Sequence, residues 1–214
     1  SDVRVHVLAI LQRNGIDFAT DDHTIHLVKE GAAHQEAVQN RELKRRLQAI
    51  SAIELFAWLS DSEKRYLAER LVNAPFARGD ILTRQGAVAH WLYILVSGEA
   101  EAWWQPPEGP RRLLEKRGPG SVFGEIGLMT GASRRATVVA TTDIEAYRLD
   151  KEAFQHIIRE RPELADSLSG IVASRLQRFA ELEQGYHQER NEAPQRVPGA
   201  AAIGQKIREF FGLD

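Results

Sequence analysis

Residues 123–140 read FGEIGLMTGASRRATVVA, setting one acid and two adjacent bases in a stretch otherwise suited to burial. Gly124 has no Cβ, so backbone there can approach a small molecule closely. Glu125 offers two acceptor oxygens, which suit paired sugar hydroxyl donors. Residues 126–129 can form one helical turn around Ile126, whose free N–H groups would face an anion. Gly131 permits the return, and Arg134 supplies a forked, permanently charged donor matched to phosphate oxygens. Ala136 leaves its backbone N–H uncovered, and TVVA continues as strand. Together these parts could cradle one phosphate and one ribose. Charge-assisted bonds of about 1.5–3 kcal/mol each, with burial of a base, would give affinity of roughly micromolar order. On Glu125 and Arg134 alone, a simple surface ion pair between the two is the favoured reading.

The rest of the chain bounds what such a site can serve. Its 214 residues accommodate one domain and a smaller appendage, and 43% hydrophobic with 27% charged residues describes an ordinary folded protein. A net charge of −2 lacks the cationic excess with which nucleic-acid binders displace counterions, so no nucleic-acid partner is expected. Cysteine is absent, which removes disulfides, thiolate metal sites and thiol nucleophiles. The longest apolar run, WLYILV at 91–96, has strand length, short of the roughly 20 residues that cross a bilayer. The chain begins at Ser1, and its only Met is Met129; it reads as a fragment of a longer protein.

Several elements must position the run. VRVHVLAILQR (3–13) reads as an amphipathic helix stopped by Asn14-Gly15, and TIHLV (24–28) as a strand, with Gly31 ending a small α/β piece. Leu43, Leu47, Ile50, Ile53, Leu55, Phe56 and Leu59 recur at helical spacing across 32–59, broken near Ser51. Ser60-Asp-Ser-Glu63 is a capping box that opens a helix over about 61–73. From 76 to 149 short β-rich runs alternate with glycine turns, the rhythm of an antiparallel β-roll of jelly-roll type. KEAFQHIIRE is a helix, and a second follows Pro162 with Leu164, Leu168, Ile171, Val172, Leu176, Phe179 and Leu182 in one stripe. NEAPQRVPGAA reads as a linker, and IGQKIREFFGLD as a short amphipathic terminal helix. The expected fold class is α+β: a β-roll flanked by helices, with a C-terminal lid helix and a small α/β N-terminal piece. The expected division is 1–31 for that piece, 32–60 for a connecting helix, 61–190 for the central domain and 191–214 for the tail.

The full string Phe123-Gly124-Glu125-Ile126-Gly127-Leu128-Met129, four residues, then Arg134-Arg135-Ala136-Thr137-Val138 resembles the phosphate-binding cassette of cyclic nucleotide-binding domains. FARGDILTRQG and LYILVSGEAEA, with glycines 79, 86 and 98, are similar to the family's first strands, and the resemblance covers roughly 53–185. It implies that Glu125 accepts the ribose 2′-hydroxyl, that Arg134 pairs with the cyclic phosphate, and that backbone N–H groups around Ile126 and Ala136 complete the phosphate shell. VASRLQRFA resembles the lid of hyperpolarisation-activated channels, which makes Arg175, Arg178 and Phe179 candidates for touching the purine; a solvated face for the arginines and core packing for Phe179 and Leu176 are the structural alternatives. Where the family has Ala, Ser or Thr after the phosphate arginine, this chain has Arg135. The family's hydroxyl there goes with guanine, so cyclic AMP is favoured over cyclic GMP. Neither cofactor nor metal is implied beyond that ligand, and catalysis is not expected.

The N-terminal NGID and TIHL are similar to the end of the cytoplasmic α/β domain of small-conductance mechanosensitive channels, although FATDDH stands where that family has prolines. The resemblance implies a regulatory portion of a bacterial channel on the cytoplasmic side of the inner membrane, homo-oligomeric, with a membrane channel portion of the same parent chain as its partner. A soluble regulatory subunit of an enzyme and a non-binding assembly domain are the alternatives. The residues after the lid are too few for a helix-turn-helix domain. His23 and His26, on an alternating strand, face opposite sides and read as structural. Trp103-Trp104 reads as a hairpin end with one ring buried.

Overall fold

The computed structural model describes residues 2–16, 32–189 and 197–213. The expected strand at 24–28, Gly31, His23, His26 and residues 191–196 of the expected linker lie outside them.

Helix α1 (Asp2–Arg13) stops at Asn14-Gly15 as expected, with Gly15 at a φ of +70°. Its apolar residues stay largely exposed: Val3, Val5, Val7, Leu8 and Ile10 face outward, and only Ala9 among its described side chains is buried. It is tethered instead by Arg13, which pairs with Asp80 at 2.8 Å and lies 4.3 Å over the Phe76 ring. Helix α2 (Ala32–Ser51) breaks at Ser51 and gives way to a 3₁₀ turn over Glu54–Phe56. The capping box then opens α3 (Asp61–Arg70). The sequence places the end of this helix near 73; it ends at Arg70 because Leu71 is already extended and Val72–Asn73 form strand β1.

The roll follows as β2 (Ile81–Thr83), β3 (Trp91–Ser97), β4 (Ala100–Trp104), β5 (Arg112–Arg117), β6 (Val122–Phe123), the short helix α4 (Glu125–Thr130), β7 (Thr137–Ala140) and β8 (Glu145–Asp150). They form two antiparallel four-stranded sheets, ordered β1-β8-β3-β6 and β2-β7-β4-β5. Strand β3 shows how one sequence serves two cores. Its period-2 alternation sends Leu92 and Ile94 toward the helices and Tyr93 and Leu95 into the roll. Trp104 is buried at the β4–β5 hairpin while Trp103 is half-buried, with Arg111 4.4 Å over its ring.

Helices α5 (Lys151–Glu160), α6 (Leu164–Glu189) and α7 (Ala200–Phe211) close the chain. Leu164, Leu168, Val172 and Leu176 form the buried stripe of α6, while Ile171 and Phe179 are half-buried on a different line. Helix α7 exceeds the terminal appendage the sequence suggests. It starts at Ala200, and Ile203, Ile207 and Phe211, spaced i, i+4, i+8, are buried in the same core as α5 and α6. Helix α2 is held to β8 by a Tyr147 hydroxyl donating to Glu42 Oε1 at 3.0 Å. Burial, and then that hydrogen bond, push the Tyr147 phenol up to about 12.

Candidate functional site

Strand β6 pairs with the middle of β3, Tyr93 opposite Phe123, and so delivers the chain to Gly124 at the mouth of the roll. Gly124 adopts a left-handed φ of +81° and caps α4 without a side chain. A Cβ at this position would overlap Arg134 Nη1 and lie 2.8 Å from the Trp91 carbonyl oxygen, so only glycine fits beneath the guanidinium. Helix α4 leaves its first N–H groups without intrahelical partners and ends at Gly131, also left-handed at +70°, whose N–H donates to Gly127 at 2.9 Å.

Arg134 is fixed through its backbone: its N–H donates to the Ala87 carbonyl and its carbonyl accepts from Gly86, both at 2.8 Å. The residue is only 8% exposed. Nη2 donates to the Trp91 carbonyl, while Nη1 is buried without a hydrogen-bond partner. Burial pushes the guanidinium below the ordinary arginine value, and the nearby Tyr93 and Glu125 pull it back. Burial likewise raises the Tyr93 phenol, against the charges of Arg134, Arg148 and Arg13. An unpaired donor on a buried cation costs on the order of 1–3 kcal/mol or more, and this fold leaves that cost standing.

Glu125 is 7% exposed. It does not pair with Arg134, the ion pair its sequence spacing allows; its Oε1 lies 2.9 Å from Arg175 Nη1 on α6. That Nη1 makes no aligned hydrogen bond, so the contact is chiefly one of charge. Arg135 turns toward the same helix, its guanidinium carbon 5.2 Å from the Phe179 ring centroid.

These groups surround a cavity of about 380 Å³, within the size range of small-molecule sites. Phe123, Gly124, Glu125 and Ile126 line it from one side, Arg134, Arg135 and Ala136 from another, and Arg175, Arg178 and Phe179 close it from α6. The structure thus brings together every site residue the sequence singles out. It adds Thr83, Ser174, Glu115 and Arg117. Thr83 donates to the Ala136 carbonyl at 3.2 Å and so fixes the turn after Arg135; no spacing in the sequence signals it. Glu115 and Arg117, two apart on β5 and therefore on one face, were legible as an inward pair had the strand's facing been known. The chemistry available is one of binding: an anion beside a buried cation, hydroxyl donors beside a buried carboxylate, and a flat group between α6 and the roll.

Residues 74–161 match the family model of the cyclic nucleotide-binding domain. The chain is 29% identical over 124 residues to a CRP-like cAMP-activated global transcriptional regulator of Mycobacterium tuberculosis, covering 58% of this chain and 55% of that protein. It is 32% identical over 109 residues to a cAMP-dependent protein kinase regulatory subunit of Hypocrea atroviridis, covering 51% of this chain and 22% of that one. A protein of Rhodopseudomonas palustris whose name proposes a potassium channel is 26% identical over 151 residues, covering 71% of this chain and 36% of that one. The chain therefore spans about half, or less, of these relatives' length. Among solved structures, the regulatory domain of Toxoplasma gondii PKA with cAMP superposes with a TM-score of 0.56 at 22% identity, covering 62% of this chain and 50% of that one, a likeness of fold.

Proposed function

We propose that this chain, whose residues 74–161 match the cyclic nucleotide-binding domain model, uses the cavity beneath α6 to hold cyclic AMP and reports its presence through that helix. The observation that carries the reading is the buried, unpartnered Nη1 of Arg134 above a glycine that admits no Cβ. A cyclic phosphate is an anion of the size and charge to satisfy it. In this reading Arg134 takes the phosphate, the uncapped start of α4 around Ile126 and the Ala136 N–H share its oxygens, and Glu125 accepts the ribose 2′-hydroxyl. Phe123 and Gly124 floor the site, and Arg175 and Phe179 cover the base from α6. Arg135, turned onto Phe179, links the cassette to the covering helix. It offers no hydroxyl to a guanine, which favours cyclic AMP over cyclic GMP.

Ligand affects α6 only if it binds one placement of that helix better than the other. The Glu125–Arg175 contact supplies such a difference, because a ribose hydroxyl and Arg175 compete for one carboxylate. Isothermal titration calorimetry tests the reading: the chain should bind cyclic AMP with roughly micromolar affinity, and Arg134→Ala should lose it while its circular dichroism spectrum is unchanged. Equal binding by Arg134→Ala would sink the site.

The partner receiving the signal is proposed as a channel portion of the same parent chain at the cytoplasmic face of a membrane, in a homo-oligomer. The relative with a channel name aligns over more of this chain than the regulator or the kinase subunit does, which supports that reading. None of these three relatives is named as a mechanosensitive channel, and residues 17–31, which carry most of that resemblance, lie outside the described ones. No described helix is long and apolar enough to cross a membrane. A soluble subunit that restrains an enzyme is the second reading, favoured by the kinase-subunit relative. The hydropathy of the parent sequence upstream separates the two: membrane-length apolar segments are expected for the first and absent for the second.

A further inference from the structure

The inward face of a small β-roll ordinarily carries apolar side chains, and β5 breaks that rule twice. Ala102 on β4 lies opposite both Glu115 on β5 and Val138 on β7, and Ala100 lies opposite both Arg117 and Ala140. Directly opposed residues share a face, and Ala100, Ala102, Val138 and Ala140 are all buried in the roll's core. Glu115 and Arg117 therefore point inward, while Lys116 between them is exposed and reaches Glu101 on the outer face at 3.5 Å. The inward two pair with each other and both line the cavity. Arg117 retains a buried Nε without a partner, and its guanidinium carbon lies 5.9 Å from the ring centroid of Phe123, the residue before Gly124.

Distance sets what this pair can reach. Glu115 is two strands from Val138, and Ala136 lies two residues before Val138, just ahead of β7. Strand spacing and rise put Glu115 about 12 Å from the anion cradle. That is the span from a nucleotide's phosphate to the far edge of its purine. An adenine presents a donor, its exocyclic amine, beside an acceptor, a ring nitrogen, on either of its exposed edges. A carboxylate beside a guanidinium is the complement of that pattern. The major-groove edge of guanine presents two acceptors instead and would set its carbonyl against Glu115.

We propose that Glu115 and Arg117 are the base-reading pair of this site, Glu115 accepting from the adenine amine and Arg117 donating to N7, so that the pair selects cyclic AMP; this rests on the cyclic-nucleotide reading above. Calorimetry with ligand analogues on the unaltered chain tests it without any variant. Inosine 3′,5′-cyclic monophosphate, which replaces the amine with a carbonyl, and 7-deaza-cyclic AMP, which lacks N7, should each bind at least tenfold more weakly than cyclic AMP. Glu115→Gln should shrink the first gap below threefold, and Arg117→Met should shrink the second, each with its melting curve as the check on folding. Analogues binding within threefold of cyclic AMP, or gaps that persist in folded variants, overturn the pair's role; if Arg134→Ala still abolishes binding, the site itself stands. If the unaltered chain binds no cyclic nucleotide at millimolar concentration, the underlying reading fails and this one with it. Inward charges on an edge strand can also serve to deter sheet-edge pairing. That role would leave the analogue ratios flat.

Discussion

Two helix starts in this chain, those of α3 and α4, face the same physical problem and resolve it oppositely. At α3 a reciprocal capping box closes the helix start. Ser60 Oγ accepts from the Glu63 N–H at 3.3 Å, the Glu63 carboxylate accepts from the Ser60 N–H at 2.6 Å, and Arg161 donates to both Glu63 oxygens at 2.9 and 2.7 Å. At α4 the cap is a left-handed glycine with no side chain, and the adjacent Arg134 leaves one donor buried and unmatched. The first arrangement is complete in itself and contributes to folding. The second leaves a donor unmatched in the protein alone, as the proposed role of Arg134 in anion binding would require.

The sharpest way to break the contrast is to remove the unmatched charge. Arg134→Met should cost about 3 kcal/mol in cyclic AMP binding, on the order of a hundredfold in Kd, while a thermal melt shows stability held or raised, since a buried unpaired donor is gone. A melt that falls steeply would make Arg134 a structural residue and erase the difference between the two helix starts. Gly124→Ala comes next. A non-glycine residue held at positive φ costs on the order of 1–2 kcal/mol, and its Cβ would displace the guanidinium, so both the melt and the calorimetric affinity should drop, the latter about tenfold. Ser60→Ala acts at the complete helix start alone: a loss of about 1 kcal/mol in urea unfolding is expected, with cyclic AMP affinity unchanged.

The smallest effect is a pH dependence. Burial pushes Glu63 up, but the hydrogen bonds from Ser60 and Arg161 together outweigh it and hold the carboxyl below its ordinary value of 4.5. A depressed folded value means the contribution is fully present above about pH 4.5 and is lost as pH falls through the lower folded value. The stability difference between the natural chain and Glu63→Gln should therefore close on acidification, read from denaturant curves at successive pH. A difference that stays constant would remove the carboxylate from the account of α3.

How far the sequence already disclosed this depends on where the causes lie. The capping box and the cassette were legible because both are local: Ser60 and Glu63 are three apart, and Gly124, Glu125 and Arg134 sit within one turn and its return. The alternation from 76 to 149 likewise disclosed an antiparallel roll. What the spacing could not disclose is which distant side chain completes each local group. Glu125 finds Arg175 rather than Arg134, Arg135 finds Phe179, and Glu63 finds Arg161. Those meetings depend on where α5 and α6 dock. Helix α7 shows the same gap at larger scale: Ile203, Ile207 and Phe211 promise one apolar face, but only the docked helix shows that the face fills the main core.

At Gly131, where the cassette turns back, an added Cβ would come within 2.7 Å of the Phe210 ring, and Lys151 Nζ donates to the Phe210 carbonyl at 2.9 Å. Helix α7 is thus wedged behind the loop proposed to grip the anion, like a doorstop behind a hinge. Undocking α7 would remove that wedge, so the proposed grip on an anion would depend on this helix staying packed in the core.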